Sequence, residues 1–390
     1  MADRLKLAVI AGEESGDLLG ADLVLALRDK VRCAIDLIGI GGKHLAAEGL
    51  KSFFDLDEIA IMGIDAILKK MPRLLKLIRQ VSFFIAHEKP NCLIIIDSPE
   101  FTHRVARKVR GLNPTIPIIN YIAPSVWAWR SQRAGGMRSF IDHVLVVLPF
   151  EVEVMKTLRG PPATYVGHRL LSCKALLDVC SEREKRGAFL KGSRTVLVLP
   201  GSRRFEIRRL MPVFGQAIKE LRNKTSDFKI ILPTIPRIEL EVRALAGLWP
   251  IKPDIVVGEE EKWKAFIDAD AALAASGTVS LELALCGIPM VLAYRVDWFS
   301  KKFIMPRITC WSAALPNIIA DQPVVPEYFN EFVRPGILSR HLESYLTNSL
   351  SRRAQVENLK RISVLMHTAK PSGEIAVETI LPFLYKRPDI

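Results

Sequence analysis

LKLAVIAGEESGD, residues 5–17, runs from an almost wholly apolar stretch into a glycine turn carrying two adjacent carboxylates, Glu13 and Glu14. The apolar run does not alternate, so both of its faces call for burial, as in an inner strand of a parallel sheet. A helix-like pattern follows the turn, giving a strand–turn–helix unit. Such a turn commonly cradles phosphate through its backbone N–H groups, and two glutamates argue against phosphate at this one.

The same unit recurs along the chain. AIDLIGIGG (34–42), NCLIIIDSP (91–99), PIINYIAP (117–124) and HVLVVLPF (143–150) read as buried strands in the first half. RTVLVLPGS (194–202), FKIILPT (228–234), DIVVGEE (254–260), DAALAASG (270–277) and IPMVLAY (288–294) repeat the pattern in the second. Most end at or beside a Gly, Pro, Ser or acid and lead into a helical stretch, which predicts parallel sheets with helices on both faces. The alternation restarts near residue 190, after the charged segment 166–193. The expected organisation is an α/β chain of two Rossmann-like domains facing across a cleft, 1–185 and 186–365. A C-terminal helix in 366–390 would cross back to the first domain or to a partner subunit. A length of 390 residues fits two such cores.

The net charge is +13, which favours an anionic partner. No RNP-type strand, zinc-finger spacing or contiguous basic arm occurs, so nucleic acid is not expected. Six scattered cysteines form no C-x-x-C pair and read mostly as buried thiols. No signal peptide and no uncharged apolar run of about 18 residues is seen, giving a cytoplasmic protein without a spanning helix. The stretch 64–85 does have apolar residues at helical spacing, with Lys69, Lys70, Arg73 and Lys76 on the remainder. That pattern suits either a crossover helix or one lying on an anionic membrane surface.

Two turns in the second half suit a diphosphate. In LPGSR (199–203), Gly201, Ser202 and Arg203 stand between a strand and a helix start. In SGTVSLE (276–282), Ser276, Gly277 and Thr278 do the same, and Glu282 lies one turn on, placed for a ribose diol. The first half offers carboxylates. Asp97 ends a buried strand before a Pro turn and suits a general base, with Glu13 and Asp17 on the same rim. Trp127, Trp129, Arg130 and Arg133 form an aromatic and cationic loop for a sugar, acyl chain or phosphate. His44 and His168 are lone histidines, and His44 reads as structural or capping. GIGG (39–42) lacks the dinucleotide spacing, and the D-x-D pairs 55/57 and 268/270 lack supporting ligands, so neither a cofactor nor a metal is expected.

The ordered set AGEESGD, DSPEF, YIAPSVWAWR, LPFE, VGH, LPGSR, SGTVSLE, PMVLAYR and LPNIIA, spread over residues 11–320, closely resembles the lipid-A-disaccharide synthases. The resemblance implies a GT-B fold and an inverting transfer. Its donor would be UDP-2,3-diacylglucosamine, its acceptor 2,3-diacylglucosamine 1-phosphate, and its product a β-1,6 disaccharide 1-phosphate plus UDP. By motif, Asp97 and Glu13 would be catalytic, while Gly201, Ser202, Arg203, Ser276, Gly277, Thr278, Glu282 and Asn317 would hold the nucleotide. Ser15, Gly16, Asp17, Ser125, Trp127 and Arg130 would hold the acceptor, and Glu14 would be merely solvated. The resemblance also implies peripheral attachment to the inner face of the cytoplasmic membrane, and a homodimer. The chain departs from the family at Glu100, Thr102 and Arg169, where Asp, Asn and Pro are usual. The alternatives are another UDP-sugar enzyme, either an N-acetylglucosamine transferase or an epimerase, and a silent lipid- or nucleotide-binding protein.

Overall fold

The structure, a computed structural model, describes residues 4–55, 64–187, 193–225, 227–298 and 300–385, with the side chains of 64–71 and Ile304 excepted. It divides into two units, Met1–Arg169 with Thr368–Ile390, and Leu170–His367.

The first unit threads β1 (Arg4–Ala11), α1 (Glu14–Lys30), β2 (Ala34–Ile40), α2 (Lys43–Ala47), β3 (Lys51–Ser52), α3 (Ile64–Glu88), β4 (Cys92–Ile96), α4 (Pro99–Leu112), β5 (Ile118–Tyr121), α5 (Gln132–Met137), β6 (His143–Val146), α6 (Glu151–Thr157) and β7 (Ala163–Tyr165). Its seven strands are ordered β3-β2-β1-β4-β5-β6-β7, and every pairing is parallel. Successive β1 residues feed two different cores. Leu5, Leu7, Val9 and Ala11 pack with α1, while Ala8 and Ile10 pack with α3 and α4. β4 splits likewise, Cys92, Ile94 and Ile96 against Leu93 and Ile95. Burial on both faces is why these strands read as unbroken apolar runs.

The second unit runs α7 (Lys174–Arg186), β8 (Arg194–Leu199), α8 (Arg204–Arg222), β9 (Phe228–Thr234), α9 (Glu239–Ala246), β10 (Asp254–Val257), α10 (Glu259–Asp268), β11 (Ala271–Ala275), α11 (Thr278–Leu285), β12 (Met290–Tyr294), α12 (Leu315–Ala320), β13 (Glu327–Phe329), α13 (Pro335–Tyr345) and α14 (Leu350–Met366). Its six parallel strands are ordered β10-β9-β8-β11-β12-β13. The chain then returns to the first unit as α15 (Ser372–Leu384), whose Ala376, Val377, Ile380 and Leu384 are buried in the core beside α1.

The boundary expected at 185/186 moves to 169/170. The helix α7 belongs to the second unit because Arg183 donates to the carbonyls of Cys286, Phe266 and Ala269 at 2.8, 3.0 and 2.6 Å. Arg169 donates from Nε to Asp22 Oδ2 of α1 at 2.7 Å and so ties the chain's exit to the first unit. Sequence pattern misses β3, β7 and β13, edge strands of two or three residues, too short to show a period. The cysteines also differ from expectation: only Cys92 and Cys286 are buried, the other four being partly exposed, and all six are free thiols.

Candidate active site

In each sheet the chain reverses its direction of growth at one place: between β1 and β4 in the first unit, between β8 and β11 in the second. Ligands of such sheets collect at the carboxyl ends of the strands flanking that switch point. All the motif turns singled out above that flank these points lie there.

In the first unit, Ala11 pairs with Ile96, so the glycine turn after β1 lies against the Asp97–Ser98 turn after β4. Gly12 N–H donates to Ile96 O at 3.1 Å. A Cβ on Gly12 would sit 2.2 Å from Ser98 Cβ, and one on Gly16 would sit 3.6 Å from Asp97 Cβ. The glycines thus admit the close approach of the turn after β4, chiefly its Ser98 side chain. Asp97 and Ser98 take φ of +59° and +43°, left-handed values costly for residues with a Cβ. Thr102 is fully buried. Its hydroxyl is 2.7 Å from Asp97 O and 3.1 Å from Ser98 O, so it braces that strained turn. Ile122 at +68° and Arg130 at +52° add strain after β5. Backbone strain of this kind gathers at functional sites.

Other residues assigned to the acceptor are engaged structurally. Asp17 is buried and accepts from the N–H groups of Gly42, His44 and Leu45 at 2.6, 2.8 and 3.2 Å, capping α2 from a distance. Asp17, expected at the acceptor, thus serves the scaffold through these three bonds. Trp127 donates from Nε1 to Glu151 at 3.2 Å and packs edge-on against Phe150. Glu151 is buried and also accepts from the Val147 and Leu148 N–H groups. Burial pushes its carboxyl up to about 7, against the pull of those donors. Ser15 and Ser125 are exposed, while Glu13 is the exposed N-cap residue of α1. Glu14 pairs with Lys43 at 2.7 Å, both side chains remaining largely in water. His168 is held neutral, its pKa pushed to about 4 by burial and then by Arg169.

The second unit holds a cavity of about 480 Å³ at its switch point. Gly201, Ser202, Arg203, Ser276, Gly277, Thr278 and Glu282 all line it, as expected from the two turns. The first turn of α11 offers backbone N–H groups that lack helical partners. Gly201 is required by its φ of +105° and by Glu206, whose Oε2 would lie 2.4 Å from a Cβ there. Sequence reasoning passed over Glu206, Lys262 and Glu259. Glu206 accepts from Arg203 N and Nη1 at 3.3 and 3.1 Å, an N3 acid three residues past the N-cap. Lys262 donates to both Glu282 oxygens at 3.2 and 3.0 Å and lies over the Trp263 ring. Burial raises the Glu282 pKa, and Lys262 opposes it. The signal available for Glu259 and Lys262 was DIVVGEE, a third strand-to-helix turn. The buried Thr234 hydroxyl lines the cavity without a hydrogen-bond partner, which suits a polar ligand. Asn317, expected on the nucleotide side, lies elsewhere. It is buried outside the cavity lining, its amide exchanging hydrogen bonds with Val325 N and O at 2.7 and 2.9 Å.

On α3, Ile78, Val81 and Ile85 are core, whereas Leu75 and Phe83 are 50% and 62% exposed beside Arg73, Lys76 and Arg79. The Lys69 and Lys70 side chains lie outside the described residues. Among the described residues no helix is long and apolar enough to cross a membrane.

Two parallel α/β units, the second with a cavity at its switch point, define a GT-B fold. The fold is shared with UDP-GlcNAc 2-epimerase from Neisseria meningitidis bound to UDP-GlcNAc (TM-score 0.61, 14% identity, 97% of this chain and 100% of that one). It is shared also with MurG of Acinetobacter baumannii (TM-score 0.58, 15% identity, 97% and 99%). Closer in sequence are lipid-A-disaccharide synthases. That of Bradyrhizobium diazoefficiens is 44% identical over 98% of this chain and 97% of its own length. That of Rhodospirillum centenum is 34% identical over 98% and 96%. The family model described as lipid-A-disaccharide synthetase matches residues 7–379. The chain belongs to the lipid-A-disaccharide synthase family and is a glycosyltransferase.

Proposed function

We propose that this enzyme transfers a 2,3-diacylglucosaminyl group from UDP to the 6-hydroxyl of 2,3-diacylglucosamine 1-phosphate, with inversion. The observation that carries the reading is the second unit's cavity, where the Gly201–Arg203 turn and the start of α11 both line one switch point. A diphosphate fits two such turns, and Lys262 adds a second cation to Arg203.

In this proposal Asp97, or Glu13 as second choice, takes the proton from the acceptor 6-hydroxyl. The oxygen attacks the anomeric carbon opposite the diphosphate, the C–O bond to UDP breaks, and UDP leaves with the bonding pair. Charge developing on the leaving diphosphate is stabilised by Arg203 and by the backbone N–H groups at the start of α11. These donors suffice without a metal, so turnover should survive EDTA. Loss of turnover in EDTA, restored by Mg²⁺, would overturn that part. Incubating both acylated monosaccharides with wild type and Asp97→Ala, with mass spectrometry of products, tests the whole. No disaccharide 1-phosphate from the wild type would sink it.

The same proposal places the enzyme on the inner face of the cytoplasmic membrane, where acylated substrates reside. Exposed Leu75 and Phe83 among Arg73, Lys76 and Arg79 support it. The resemblance supports a homodimer, and sedimentation as a monomer at working concentration would refute that.

A further inference from the structure

Arg130 and Arg133 converge on a single carboxylate oxygen. Arg130 Nη1 donates to Glu100 Oε1 at 3.2 Å, and Arg133 Nη2 donates to the same atom. Each guanidinium has five N–H donors, so most of their donor capacity is left for another acceptor. Both sit by the Trp129 ring, 4.1 and 5.8 Å from its centroid, which fixes them without neutralising them. The cluster is open to solvent: the Glu100 side chain is 64% exposed and that of Arg130 46%. Burial pushes the Glu100 carboxyl up, but Arg133, Arg130 and Arg104 outweigh it and keep the group ionised. Three cations therefore act on one carboxylate, and the cluster retains positive charge. The start of α4, at Pro99, adds a helix N-terminus to the same place.

We propose that Arg130 and Arg133 bind the phosphate monoester of the acceptor sugar, and that Glu100 is the counter-ion they release to it. This rests on the acceptor reading above. A phosphate monoester brings about 1.5–2 negative charges and three terminal oxygens, against one charge on Glu100. Planar guanidinium forks match it in pairs. Asp97 stands three residues before Glu100 in the same strand-to-helix turn, so the phosphate on C1 and the reacting hydroxyl on C6, on either side of the ring oxygen, are addressed from one place.

The test compares two acceptors in detergent micelles, 2,3-diacylglucosamine with and without its 1-phosphate. The Arg130→Gln, Arg133→Gln double variant is expected to raise KM for the phosphorylated acceptor roughly 10–100-fold more than for the other. Glu100→Gln removes the competing charge and is expected to lower KM for the phosphorylated acceptor alone. Equal losses on both acceptors, or a Glu100→Gln enzyme with a raised KM for the phosphorylated one, would overturn the phosphate site and leave the transferase reading standing. A wild type that glycosylates neither acceptor would overturn that reading and this inference with it.

Discussion

Gly12 and Ser98 touch backbone to side chain: a Cβ at Gly12 would lie 2.2 Å from that of Ser98. The contact joins the ends of β1 and β4 and seats the strained turn that carries Asp97. Gly12→Ala is expected to cost roughly 1–3 kcal/mol of stability through overpacking. It should also lower kcat beyond what the unfolded fraction explains. Urea melts and initial rates on the folded fraction check this, and a variant with wild-type kcat would separate the turn from the chemistry.

Asp97 and Glu13 are distinguished by isosteric amides. If Asp97 is the base, Asp97→Asn should lower kcat by roughly 10²–10⁴ with little change in donor KM. Glu13→Gln should then do less. The reverse order would transfer the role to Glu13.

Arg203 is anchored by Glu206 and lines the second unit's cavity. Arg203→Ala is expected to reduce kcat by roughly 10²–10³, as loss of a preorganised charge-stabilising donor does. Glu206→Gln weakens the anchor while leaving the guanidinium in place, so its effect should be smaller. Indistinguishable rates for Arg203→Ala and wild type would remove Arg203 from the mechanism.

Glu151 should make stability depend on pH. Its folded pKa is about 7 against an ordinary 4.5, so the folded chain holds a proton that the unfolded chain releases. The stabilisation is fully present below the ordinary value and is lost as pH rises to about 7. Relative to wild type, Glu151→Gln should gain up to about 3 kcal/mol across that window. Denaturation curves at either end measure it, and a constant difference would refute the titration.

The exposed face of α3 should govern vesicle binding. Leu75→Ser with Phe83→Ser, or Arg73→Glu with Lys76→Glu, should reduce sedimentation with anionic liposomes while sparing turnover in micelles. Unchanged sedimentation of both variants would exclude this face.

What the sequence determined by itself is the architecture and which turns lie on the carboxyl rim of each sheet. Inner parallel strands are buried on both faces, so β1, β4, β8 and β11 are legible as apolar runs, and the turns after them must lie on the carboxyl rim. That placed Gly12, Asp97, Arg203 and Gly277 without any coordinates. Only the tertiary structure decided which polar side chains on that rim are already engaged. Asp17 caps residues 42–45, Asn317 clasps Val325, Trp127 holds Glu151, and Arg130 and Arg133 meet Glu100. It likewise decided that α7 joins the second unit and α15 returns to the first. The physical reason is the same in each case. Strand periodicity is a local property written in adjacent residues, whereas a hydrogen-bond partner many residues away exists only once the sheets have brought the turns together.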